Sequence, residues 1–137
     1  MNQRAVNTGI EMLDREACLV LLDADETGRL AIVDGTQPKI FPVNYVLDGE
    51  DIVFRTAPGT KLNQGPRSPA SFEIDEFDRA NRSGWSVVVS GRLEEVTHYD
   101  AERFARTSTL PVDSWASGKK DHLMRLVPSS ITGRRVG

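Results

Sequence analysis

Polar and apolar residues change period several times along the chain, and each change marks a predicted element. Leu13-Asp14-Arg15-Glu16 precedes the apolar run Ala17-Cys18-Leu19-Val20-Leu21-Leu22. This predicts a helix with Asp14 as N-cap, an acidic residue in its first turn, and an end near Asp23. Residues 28–34 alternate imperfectly and run into Asp34-Gly35, a pair that favours a tight hairpin turn, so Lys39–Leu47 is the expected partner strand. Asp48-Gly49 then separates that strand from Asp51–Thr56 and completes a three-stranded meander. Parallel pairing needs crossovers of a dozen or more residues, and these connections are too short.

Ala57 to Leu62 breaks the alternation and predicts a short helical turn, ended by Gln64-Gly65-Pro66-Arg67-Ser68-Pro69. Period two returns over Ala70–Phe77. Trp85–Val96 is the longest predicted strand, and Gly91 inside it signals a bulge or bend of the kind that helps a sheet curl into a barrel. After Thr97-His98-Tyr99-Asp100 a helix is expected through about Ser108, then a loop, a last strand at His122–Val127, and a solvated basic tail containing Arg134-Arg135. Six antiparallel strands with short connections, plus two or three peripheral helices, predict a mainly β fold built as a small barrel. The 137 residues suit one domain. Residues 1–12 are expected as a flexible leader and residues 13–137 as the folded domain.

Composition narrows the function classes. Seventeen basic against twenty acidic residues leave a net charge of −3, without the basic excess that nucleic-acid binding normally requires. The longest apolar run, Ala17–Leu22, falls far short of the roughly 20 residues of a membrane span. Cys18 is the only cysteine, so no intramolecular disulfide can form, and its place on the apolar helical pattern predicts a packed thiol without chemistry. These features point to a cytoplasmic protein with neither nucleic acid nor membrane as partner.

Conventional catalytic groups are sparse. His98 and His122 have no serine or cysteine at a spacing that suggests a nucleophilic site, and local hydrogen bonding is the expectation for both. Glu73-Ile74-Asp75-Glu76 is expected to alternate between strand faces, and no metal site is predicted. The phosphate-binding patterns GxGxxG and GxxxxGK[ST] are absent. Arg55-Thr56 at a strand end and Gly59-Thr60-Lys61 just beyond it bring two cations, two hydroxyls and a closely approachable backbone within seven residues, an anion site in outline. Pro42 inside a predicted strand marks an edge or a bulge, where neighbouring amides are left to face a ligand.

The ordered combination Gly28-Arg29-Leu30-Ala31, Phe41-Pro42-Val43-Asn44-Tyr45-Val46, Ile52-Val53-Phe54-Arg55-Thr56, Gly59-Thr60-Lys61, Ala70-Ser71-Phe72-Glu73-Ile74-Asp75 and Gly84-Trp85-Ser86-Val87-Val88-Val89-Ser90-Gly91 resembles the pyridoxamine 5'-phosphate oxidase-like family of split β-barrel flavoproteins. The likeness is to the branch that includes nitroimidazole-resistance-type proteins, and it spans roughly Leu13 to Arg135. It implies a six-stranded antiparallel split barrel of FMN-binding type, forming a homodimer with two cofactor sites at the interface. FMN is the implied ligand, with a deazaflavin cofactor as the alternative.

By matching position, the resemblance gives Arg55, Thr56, Thr60 and Lys61 to the phosphate and runs Pro42, Val43 and Asn44 along the isoalloxazine ring. It brings Trp85 and Ser86 from the neighbouring chain. Trp115, in the segment Val112–Lys120, is the candidate for lining the substrate side. The implied function is a flavin-dependent oxidoreductase moving electrons or hydride to or from a small-molecule substrate. A non-catalytic flavin- or haem-binding module is the alternative reading, and a ligand-free dimeric scaffold is a third.

Overall fold

The computed structural model describes residues 9–56, 68–96, 107, 109–111 and 122–137. Asp14 caps helix α1 (Arg15–Ala24) as its sequence predicts, its carboxylate accepting the Ala17 amide at 2.8 Å. The buried face of α1 carries Cys18 and Leu22. The remaining elements are β1 (Ile10–Leu13), β2 (Thr27–Asp34), β3 (Gln37–Asn44), β4 (Val46–Asp48), β5 (Asp51–Thr56), β6 (Ser68–Asp78), β7 (Ser83–Val96) and β8 (His122–Val136). Every pairing among them is antiparallel.

Both predicted hairpins form, with the turn one residue later than the Asp-Gly pair suggests. Asp34 pairs with Gln37 and Asp48 with Asp51, so the two-residue loops are Gly35-Thr36 and Gly49-Glu50. Gly35 and Gly49 lead these loops at φ of 66° and 65°, a backbone region that a side chain disfavours and that a two-residue hairpin of this kind needs.

The sheet runs β3-β2-β6-β7-β8-β5-β4, with β1 paired to β8 beside this path. Its two ends, β3 and β4, are consecutive in the chain and separated only by Tyr45. The sheet must therefore curl until its edges meet, which makes the half-barrel of a split-barrel fold. Tyr45 pins the junction: its amide donates to Glu26 O at 3.0 Å, its hydroxyl donates to Leu22 O at 2.6 Å, and its ring meets Phe72 edge-to-face. The main core fills the concave side with Leu30, Ile52, Phe54, Phe72, Ile74, Val87, Val89, Leu93 and Leu126, all fully buried, and α1 covers one end through Cys18 and Leu22.

Among the described residues eight strands stand where six are expected. Tyr45 divides the predicted Lys39–Leu47 strand in two, and Ile10–Leu13 adds a strand from the expected leader. Ile10, Glu11 and Met12 pair with Val136, Arg135 and Arg134, so the last residues of that leader and the supposed loose basic tail hold each other in the sheet. Arg134 and Arg135 lie between β1 and β7, and ladder bonds on both sides replace the solvated tail. The predicted turn at 57–62 and the predicted helix ending near Ser108 fall outside the described residues, apart from Thr107.

The second face of β5 and β8 carries a smaller cluster of Val53, Val96 and Leu123, packed by Val46 and Leu110. Arg125, opposite Val53, is almost wholly buried there. It donates to Asp51 and Asp48 at 2.8 Å each and to Thr107 Oγ1 at 3.0 Å, which ties the β4–β5 hairpin to the 107–110 segment. Its Nε has no partner among the described residues.

Candidate functional site

Among the described residues β3 terminates the sheet order and forms a ladder only with β2. Pro42 thus sits on an edge strand, where a missing amide costs no ladder bond. Pro42 is exposed and lies opposite Arg29. Val43 turns inward against the main core, and Asn44 is half-buried, its side-chain amide donating to Thr27 Oγ1 at 2.9 Å. Pro42 and Asn44 thus face outward, and Val43 contributes its backbone.

β3 is in contact with β5, whose last two residues are Arg55 and Thr56. β4, which follows β3 after Tyr45, pairs Val46 with Val53 of β5. The ring and phosphate segments assigned by resemblance therefore lie on adjoining strand ends. Arg55 is opposite Leu123 and Thr56 opposite His122, so the two side chains leave opposite faces of β5. Thr60, Lys61 and Trp115 lie outside the described residues.

Ser86 lies opposite Asp75 on one side and Arg134 on the other. β2 and β6 stand between β7 and β3, three strand spacings or about 14 Å, so within one chain Trp85 and Ser86 do not join Pro42–Asn44. Trp85 is half-buried and lines a groove of about 340 Å³ at the C-terminal end of α1 with Leu21, Ala24, Asp25, Asp75 and Glu76.

An ionic cluster that the sequence reading does not single out borders this face. Arg29 reaches Glu73 at 2.7 Å and Asp75 at 3.1 Å. Glu73 and Asp75 project from the same face of β6 while Ile74 is buried in the core, so the predicted alternation holds. Burial, reinforced by the hydrogen bond that the protonated Glu73 carboxyl donates to Asp75, pushes the Glu73 carboxyl up against the opposing pull of Arg29. The available signal was the i, i+2 spacing of the two acids; Arg29 lies 44 residues away and becomes a partner only through the β2–β6 register. His122 Nδ1 lies 2.9 Å from Glu95 Oε2, a partner from the neighbouring strand β7 where a local one was expected, while His98 is outside the described residues. Cys18 is buried as predicted, and burial pushes its thiol pKa up. No helix among the described residues is long and apolar enough to cross a membrane.

The family model described as pyridoxamine 5'-phosphate oxidase matches residues 14–135. The chain belongs to the pyridoxamine 5'-phosphate oxidase family. Within it, an uncharacterized protein of Mycobacterium tuberculosis is 32% identical over 130 residues, 90% of this chain and 84% of that protein. Among solved structures, the FAD binding protein from Mycobacterium smegmatis is 31% identical, covering 93% of this chain and 100% of its own, with a TM-score of 0.75. A conserved protein of unknown function from Corynebacterium diphtheriae is 32% identical, covering 94% and 99%, with a TM-score of 0.79.

Proposed function

We propose that this chain binds a phosphorylated flavin, FMN or a deazaflavin analogue, along the outer side of β3, and that it acts as an oxidoreductase on a small molecule. The observation that supports this reading is the contact of β3, which carries Pro42–Asn44 at the end of the sheet order, with β5, which ends in Arg55-Thr56. The edge leaves backbone groups to meet the polar rim of the ring, and Arg55 with Lys61 supplies the charge-assisted hydrogen bonds that a phosphate needs. The likeness to the FAD binding protein of M. smegmatis supports the flavin, since FAD contains the same ring and the same first phosphate. A bound flavin supplies the electron or hydride chemistry itself. The protein then has to position the ring and shield one face, work that requires no nucleophile or triad.

We infer further that two copies assemble with their outer sheet faces together. Ala31, Ser71, Ser90 and Ser130 form an uncharged row across β2, β6, β7 and β8, flanked by exposed Val33 and Ile40 and by partly exposed Val88. Such an apolar and small-residue face is the kind that a second copy covers. The resemblance brings Trp85 and Ser86 to the cofactor from the neighbouring chain, and their separation from Pro42–Asn44 by β2 and β6 within one chain supports that pairing.

The test is an absorption spectrum and an FMN titration of the purified chain, with light scattering on the same sample. The expected result is a flavin spectrum shifted on binding, a dimer mass, and a tighter Kd for FMN than for riboflavin. A chain that binds neither FMN nor a deazaflavin overturns the reading, and a monomer with cofactor bound overturns the dimer.

A further inference from the structure

We propose that Pro38 and Pro42 keep β3 from taking up an added strand from a second chain, so that the exposed edge of the sheet is one that an associating chain cannot extend. The inference does not depend on the flavin reading. The two-residue loop Gly35-Thr36 is closed by the Asp34–Gln37 pair, which exchanges backbone bonds across the turn. Bonded and non-bonded pairs alternate from there along an antiparallel ladder, so Val33–Pro38, Ala31–Ile40 and Arg29–Pro42 are non-bonded pairs. In such a pair the amide and the carbonyl of each residue point away from the partner strand. Residues 38, 40 and 42 therefore aim their backbone at the outer side of β3, and the two prolines among them have no amide to offer. The same phase explains why the prolines do not weaken the β2–β3 ladder, which the amides of Lys39, Phe41 and Val43 supply.

This edge needs such protection. Among the described residues β3 ends the sheet order, and Gln37 to Ile40 and Pro42 are exposed, Ile40 at 69%. Ile40 shares the outer face with exposed Val33, and Phe41 and Val43 continue a β-prone stretch, the kind of edge that templates pairing with another chain. A strand arriving along residues 38–42 meets one donor, the Ile40 amide, while its own carbonyls opposite the two pyrrolidine rings are desolvated without a partner. Lys39 adds a second barrier. It is opposite buried Ile32 and so lies on the core-facing side of the sheet, where its ammonium pairs with Asp34 at 3.2 Å. An added strand must lie over that charge. At the other end of the sheet order β4 has only three residues, too short to template a stable pairing.

The experiment follows mass by sedimentation, from micromolar to millimolar concentration, for the full-length wild type, Pro38→Thr and the double variant Pro38→Thr/Pro42→Thr, with thermal melting as a check on folding. Amide hydrogen exchange is read by NMR on the same samples. In the wild type the Ile40 amide should exchange at least about tenfold faster than those of Lys39 and Phe41, which bond to β2. The double variant should exceed the wild-type mass at a concentration roughly tenfold lower than the wild type does, with Pro38→Thr between them. Its Ile40 amide should become protected as it associates. Equal masses for all three proteins at every concentration overturn the proposal. Association that leaves the Ile40 amide exchanging fast also overturns it, because the contact then lies elsewhere. Should the variants fail to fold, exchange in the wild type decides: an Ile40 amide as protected as its neighbours means that the edge is already paired, and the proposal falls.

Discussion

A Cβ built at Gly91 would lie 2.0 Å from the carbonyl oxygen of Val127, on the neighbouring strand. The β7–β8 register slips between Ser90 and Gly91, where Ser129 of β8 is the extra residue, and the bulged β8 backbone occupies the space a side chain at Gly91 would need. Gly91→Val should cost about 3 kcal/mol or more, because the obstacle is backbone and cannot rotate away. Ser90, half-buried and 2.9 Å from Ser71 Oγ, is the comparison: Ser90→Ala should cost no more than about 1 kcal/mol. Urea denaturation of both variants measures the difference, and equal midpoints would remove the close-approach argument.

Arg125 offers a second stability test. Its guanidinium is shared between Asp48 and Asp51 in nearly complete burial, so Arg125→Met should strand two carboxylates and cost about 3–5 kcal/mol. Asp48→Asn or Asp51→Asn alone leaves the other carboxylate on the arginine, and each should cost less than the arginine change. If all three variants unfold at the same denaturant concentration as the wild type, the network holds nothing together.

Stability at alkaline pH should depend on Tyr45. Burial first, then the charges of Asp25 and Asp23, raise its phenol pKa well above the ordinary value. The folded chain therefore keeps the proton where the unfolded chain loses it. The resulting stabilisation is complete below about pH 10 and declines as pH rises from there towards the raised folded value. Tyr45→Phe removes the hydrogen bond to Leu22 O, at a cost of about 1 kcal/mol near neutrality. The wild type's advantage over Tyr45→Phe should shrink between about pH 8 and about pH 11, and urea titrations at the two values measure it. An advantage that grows over this range would reverse the assignment.

Lys61 is the most direct probe of phosphate capture. Removing one charge-assisted hydrogen bond is worth roughly 1.5–3 kcal/mol, so Lys61→Ala should weaken FMN binding on the order of 10- to 100-fold. Riboflavin should bind the variant as it binds the wild type. Equal FMN dissociation constants for the two proteins would return Gly59-Thr60-Lys61 to an ordinary turn.

Much of the candidate site was legible because its parts are local. Pro42 marked an edge or a bulge by its chemistry alone, and β3 does end the sheet order; Arg55 and Thr56 close β5 at the predicted residue, and the strand period puts them on opposite faces. Their partners were not legible. That Thr56 faces His122 and that Arg29 joins Glu73 and Asp75 both follow from registers between strands far apart in the chain. A one-residue slip of any register would turn each side chain to the other face, and no short stretch of sequence encodes which alignment holds.

The sequence by itself determined the helix cap at Asp14, the glycine-led turns at Gly35 and Gly49, and the bend at Gly91, because each is decided within a few residues of backbone and side-chain chemistry. Only the tertiary structure decided that β3 and β4 are separate strands at opposite ends of one sheet. Tyr45 interrupts them by bonding to Glu26 and Leu22, partners that the alternation of neighbouring residues does not specify. Likewise, Ile10–Leu13 and the Arg134-Arg135 segment are too polar or too short to predict strands alone. Ile10–Leu13 becomes a strand because the Arg134-Arg135 segment satisfies its backbone hydrogen bonds, and that segment is held by Ile10–Leu13 on one side and β7 on the other.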